Sequence, residues 1–197
     1  MEELTGFILA SFALVGSPGP ATLSLAATGA AFGVRRGLAY LAGIEAGLVL
    51  IMIMMSTGLT GLLMAVPSAA PVVTGAGAAY ILYLAYRIGT APITFEEGQP
   101  ERHPSFFGGM FLSLVNPKAY ASMAALFSGF LLVKDSVVED ALLKGAVLLV
   151  ILTFVDVLWL FAGGVLARRV KNPKTHRIIN IVFAVLLVLS VAFAVMF

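Results

Sequence analysis

The 197-residue sequence has no cysteine, two histidines, one tryptophan and only 11% charged residues. Without cysteine there can be no disulfide, thiol relay, iron–sulfur ligation or Cys-based zinc site. His103 and His176 fall in polar stretches between apolar segments, so no haem or zinc site held by imidazole is expected inside those segments, and no cofactor or metal is called for. The apolar segments also lack a Ser, His and acid set, an HExxH motif and any pair of neighbouring acids, which leaves little for hydrolysis and argues against an enzyme. The scarcity of charge excludes a water-soluble domain. With 60% hydrophobic residues and a mean hydropathy of +1.05, too little polar surface exists to cover one. Nucleic acid is not an expected partner, because the small positive excess sits beside apolar segments, where basic residues set membrane orientation.

What the sequence does contain is a series of apolar stretches, each long enough to cross a bilayer core of about 30 Å. Six are expected, at 4–32, 38–66, 72–88, 105–133, 141–167 and 178–197. The expected fold is therefore all-α and integral to the membrane, a single transmembrane domain over 1–197 with halves 1–89 and 105–197 joined by a linker at 90–104. The first stretch follows Glu2 and Glu3 where a secretory signal would carry Lys or Arg, and it is too long for one, so it is expected to be retained. Of the twelve Lys and Arg residues, nine (Arg35, Arg36, Arg87, Arg102, Arg168, Arg169, Lys171, Lys174 and Arg177) lie in the first, third and fifth connections. Lys134 and Lys144 lie on the other side with Glu2, Glu3, Asp135, Glu139 and Asp140. The positive-inside bias then places both termini on the non-cytoplasmic side.

Two of the apolar stretches are interrupted. The first contains SPGP (Ser17, Pro18, Gly19, Pro20) and the fourth NPK (Asn116, Pro117, Lys118). A shift of 99 residues brings Pro18 onto Pro117, Ser17 onto Asn116, Phe7 onto Phe106 and Phe12 onto Phe111. Three spans reverse the side of the chain, so the halves would form an inverted 3+3 repeat with broken helices in matching places, a pattern of secondary transporters. One proline alone would mark a tolerated kink; two at matched positions favour a built break. Proline removes a backbone donor, glycine relaxes the backbone, and Ser17 or Asn116 before a proline suits the cap of a new half-helix. Half-helices starting near the midplane would direct unpaired N–H groups and partial positive charge at a polar cavity fit for a carboxylate.

Three ionisable residues fall within spans: Lys118, Asp156 and Glu45. Each costs roughly 2.5 to 3.5 kcal/mol on insertion scales, so inward placement and partners are expected. Lys118 could pair with Asp156, leaving Glu45 for a proton or a substrate ammonium, or with Glu45, leaving Asp156 for that part. Glycines at helical spacing, Gly29, Gly33 and Gly37 and also Gly43 and Gly47, suit close helix contact, with a hinge conceivable at Gly33 and Gly37. Tyr80, Tyr83 and Tyr86 read as interfacial anchors beside Arg87, and Trp159 as either a cavity wall or a lipid-facing ring.

The segments PGP (Pro18 to Pro20), GAAFGVRRG (Gly29 to Gly37), GIEAG (Gly43 to Gly47), GAAYILYLAYR (Gly77 to Arg87), NPK and DVLW (Asp156 to Trp159) resemble, in order and over nearly the whole chain, the LysE/RhtB family of amino-acid exporters. One departure is Glu45, at a position where that pattern carries a small or apolar residue. The resemblance implies a multi-pass protein of the bacterial inner membrane, driven by the proton-motive force, whose partners are the lipid bilayer, protons and an amino acid or derivative as substrate. On this reading the substrate carboxylate meets Ser17, Pro18, Gly19, Pro20, Asn116, Pro117 and Lys118, and its ammonium meets Asp156 or Glu45, one of which also carries the coupling proton. Monomer and homodimer are both left open. The competing expectation, a carrier of another solute or of a metal cation, calls for several carboxylates or for Cys and His, and the spans offer two scattered acids.

Overall fold

Prolines set the shape of the N-terminal segment. Helix α1 (Glu2–Gly16) opens on Glu2 and Glu3, whose charges suit the positive end of a helix, and it stops ahead of Pro18 and Pro20. Helix α2 (Pro20–Phe32) restarts with Pro20 in its first turn, bent 58° from α1. The computed structural model describes residues 2–58, 69–91, 104–170 and 172–196 of the chain. These form six more helices: α3 (Val34–Ser56), α4 (Ala69–Gly89), α5 (Phe106–Leu114), α6 (Pro117–Gly129), α7 (Val137–Arg169) and α8 (Pro173–Met196). No strand occurs among the described residues. Residues 59–66 of the second expected span and 92–103 of the expected linker lie outside them.

The helix starts follow the local sequence. Side-chain oxygens of Ser105, Asn116, Ser136 and Asn172 accept hydrogen bonds from the amides of Gly108, Lys118, Glu139 and Lys174, at 2.9 to 3.3 Å, answering donors that a helix start leaves open. The second half-helix therefore begins as its sequence predicts, with Asn116 as cap and Pro117 at the first position. The first half-helix departs from prediction. Its cap is Gly19 rather than Ser17, whose hydroxyl donates back to Leu14 O at 2.9 Å. Pro20 and Pro117, 97 residues apart, occupy the equivalent places, in place of Pro18 and Pro117. Gly19 has extended backbone, φ −171°, open to any residue; its lack of a side chain serves space instead. Gly33, at φ 84°, joins α2 to α3 in a conformation that favours glycine.

By length and composition, α3, α7 and residues Pro173–Ala192 of α8 can each cross a membrane, and the bent α1–α2 pair can form a fourth crossing. Val150, Phe154, Leu158 and Phe161 lie exposed at helical spacing along α7, a face suited to acyl chains. Inside, α3 packs chiefly on α5, α2 on α7 and α4 on α8. A Cβ on Gly43 would strike Phe106 O, one on Gly109 would strike Tyr40 O, one on Gly29 would strike Leu160 O, and one on Gly163 would strike Ala26 O. Backbone thus meets backbone at both crossings, which only glycine permits. Ser113 Oγ donates to Ile44 O at 2.9 Å across the first crossing. At the start of α7, Asp140 and Lys144 form a buried ion pair of 2.6 Å. Asp140 accepts from the amides of Leu132 and Val133, and Lys144 donates to Phe127 O, so the pair ties the α6–α7 connection to α7.

Candidate functional site

The two breaks lie against a common cavity of about 40 Å³, lined by Gly19, Ala21 and Thr22 of the first break and by Asn116, Lys118 and Ala119 of the second. Asp156 of α7, Leu48 of α3 and Ser122 of α6 complete its polar and apolar walls. At roughly 10 to 15 Å³ per ordered water, this volume corresponds to about three waters, a small site.

The half-helix starts contribute unequally. Asn116 Oδ1 accepts from Lys118 N at 3.1 Å, so α6 caps itself. No side chain caps α2. Thr22 Oγ1 accepts from Gly19 N at 2.9 Å, while the amides of Ala21 and Thr22 precede the first backbone bond of the helix, Leu23 N to Gly19 O. The open anion-attracting end is therefore the one at Pro20.

Lys118 pairs with neither acid. Its ammonium donates to Ser17 O and Pro18 O, the carbonyls with which α1 and the break end, where partial negative charge gathers. A Cβ on Gly19 would lie 2.7 Å from Lys118 Cδ, so glycine at this position makes room for the lysine stem. Asp156 is the acid whose charge reaches Lys118, yet no ion pair joins them among the described residues.

The acids face each other. Glu45 on α3 and Asp156 on α7 are mutual neighbours, and neither Glu45 oxygen, nor Asp156 Oδ2, has a hydrogen-bond donor. Two ionised carboxylates offer acceptors only; a proton on either acid supplies the missing donor. Glu45 lies outside the cavity lining, whereas Asp156 is part of it. Fully buried Tyr40 donates its hydroxyl to Ser24 Oγ at 2.9 Å.

Of the residues picked from sequence, Gly19, Asn116, Lys118 and Asp156 line the cavity, Ser17 and Pro18 lend carbonyls to Lys118, and Pro20 and Pro117 start the half-helices. Trp159 is absent from the lining. Thr22 and Ser122 are additions that the sequence did not single out. Ser122 sits one turn beyond Lys118, a spacing that puts both on one helix face.

A family model described as LysE type translocator matches residues 12–197. The chain belongs to this LysE family. It is a membrane translocator, and it is similar to the cysteine/O-acetylserine efflux protein of Escherichia coli (strain K12) and to that of Shigella flexneri, each 31% identical over 172 residues, 87% of either chain. No solved structure matches the chain. In this LysE-family chain, the PGP and NPK segments that carry the resemblance are the two breaks around the cavity.

Proposed function

We propose that the protein exports a small amino acid or amino-acid derivative across the bacterial inner membrane in exchange for protons. The observation that carries this reading is the convergence of three groups on one cavity: the uncapped start of α2, the Lys118 ammonium and the Asp156 carboxyl. The substrate carboxylate lies at the amides of Ala21 and Thr22 with Lys118 beside it, and the ammonium lies at Asp156. The tight lining suits small side chains, consistent with relatives named for cysteine and O-acetylserine efflux. The Glu45–Asp156 pair holds the exchanged proton. When the substrate ammonium takes Asp156, the proton leaves; when a proton returns from outside, the ammonium is displaced.

In this reading the chain forms six spans as a 3+3 inverted repeat, α1 and α2 corresponding to α5 and α6, α3 to α7, and α4 to α8. Both termini lie outside the cytoplasm, and one half rocks against the other around the cavity. Uptake of labelled cysteine, O-acetylserine, threonine and homoserine into inside-out vesicles tests it. Asp156→Asn and Lys118→Ala should each lower transport at least about tenfold, the loss of one charge-assisted hydrogen bond of roughly 1.5 to 3 kcal/mol, while insertion persists. Wild-type rates in both variants would place the site elsewhere.

A further inference from the structure

A second cavity of about 430 Å³ opens at the arginine-bearing end, among α2, α7 and α8, and shares no lining residue with the first. Gly33 and Val34 border it, so α3, a helix of 23 residues, starts there with no side-chain cap on its first amides. Arg36, Arg168 and His176 also line it. His176 donates Nε2–H to Val170 O at 2.6 Å, which holds the ring at the cavity wall. Asn180 lines it too; it is only 4% exposed, and its side-chain amide has no hydrogen-bond partner among the described residues. An amide that lines a cavity without a protein partner is open to a ligand or water.

Charge selects the ligand. Among the described residues the lining holds the Arg168 guanidinium, an imidazole and the positive start of α3, with no acid, beside the closing turns of α2 and α7. An amino-acid zwitterion would bring an ammonium group for which the described lining offers no carboxylate. A phosphate ester brings oxygens that accept from guanidinium, amide and helix N–H groups alike. On the same turns of α7 and α8, Val165, Leu166, Ile178 and Ile181 are exposed, leaving apolar surface for acyl chains next to the polar recess.

We propose that this cavity binds the phosphate of an anionic phospholipid, as basic recesses between membrane helices do on the cytoplasmic side. The proposal uses the membrane orientation of the proposed function but none of its substrate chemistry. The test is native mass spectrometry and thermal unfolding of the purified protein in neutral detergent, with phosphatidylglycerol, phosphatidylethanolamine or inorganic phosphate added at matched concentration. Phosphatidylglycerol should be retained and protective, and Arg168→Gln and Asn180→Leu should each weaken its binding about tenfold. Asp156→Asn should bind it as the unaltered protein does, even where export is lost. Arg168 is exposed, so its substitution leaves packing intact should Asn180→Leu fail to fold. Equal retention of phosphatidylethanolamine, equal protection by inorganic phosphate alone, or undiminished phosphatidylglycerol binding by Arg168→Gln would each overturn the assignment.

Discussion

At the residue scale the decisive relation is between Glu45 and Asp156. The sequence leaves them as rivals for Lys118, whereas the lysine answers the carbonyls of Ser17 and Pro18 and the acids meet each other. Depth along the helices carries the clue. From the arginine-bearing ends, Glu45 is eleven residues beyond Val34 and Asp156 thirteen before Arg169, so packing α3 on α7 brings them level. What hid it was the unknown start of α3, which begins at Val34 and so sinks Glu45 further from the interface than the expected start at Leu38. If the pair carries the proton, Glu45→Gln should keep substrate binding, read as thermal stabilisation by the amino acid, and lose the response of transport to an imposed pH gradient. A gradient response equal to that of the unaltered protein would remove Glu45 from the coupling. The Asp140–Lys144 pair, which in the sequence reads as flanking charge, is a buried tie instead. Lys144→Ala should lower stability by about 3 to 5 kcal/mol, since it strands a buried carboxylate; thermal unfolding of the purified protein measures this.

At the element scale, the breaks were legible because proline has one unavoidable consequence, the loss of a backbone donor. NPK told both the break and its cap. SPGP told the break only: with two prolines, the sequence does not say which one begins the helix, and Ser17 turns back to Leu14 O rather than forward. Gly29, Gly37, Gly43 and Gly47 were also legible as contacts, though not their partners, since spacing along one helix says nothing about which neighbour arrives; Gly33, expected with them, makes no such contact and serves the α2–α3 join instead. The structure pairs Gly43 with Phe106 O and Gly109 with Tyr40 O. Gly43→Val and Gly109→Val should therefore separate α3 from α5 and cut the folded yield, at a cost beyond the roughly 1 to 3 kcal/mol of ordinary overpacking, because backbone rather than a side-chain tip blocks the new methyl groups. Gly145, where an added methyl group would meet nothing within 4 Å, gives the control, as Gly145→Ala should fold normally by size-exclusion chromatography.

At the scale of the whole molecule, class and family were readable from hydropathy and motif order, while relative helix placement was not. The proposed orientation is open to direct measurement because the chain has no cysteine of its own. Single cysteines at Glu3 and Ser136 should react with a membrane-impermeant maleimide in intact spheroplasts, and those at Arg35 and Thr175 only after permeabilisation. The reverse pattern would invert the topology and with it the direction assigned to transport.

Helix α7, with 33 residues, runs about 50 Å at 1.5 Å per residue, well beyond the hydrocarbon thickness. It runs without interruption beside α1–α2, which is broken and bent. Asp156 is thereby mounted on an unbroken helix, whereas the amides of Ala21 and Thr22 opposite it follow a 58° bend. In the proposed rocking of one half against the other, Lys118 and Asp156 share a half, so the open start of α2 is the part of the site that shifts against both.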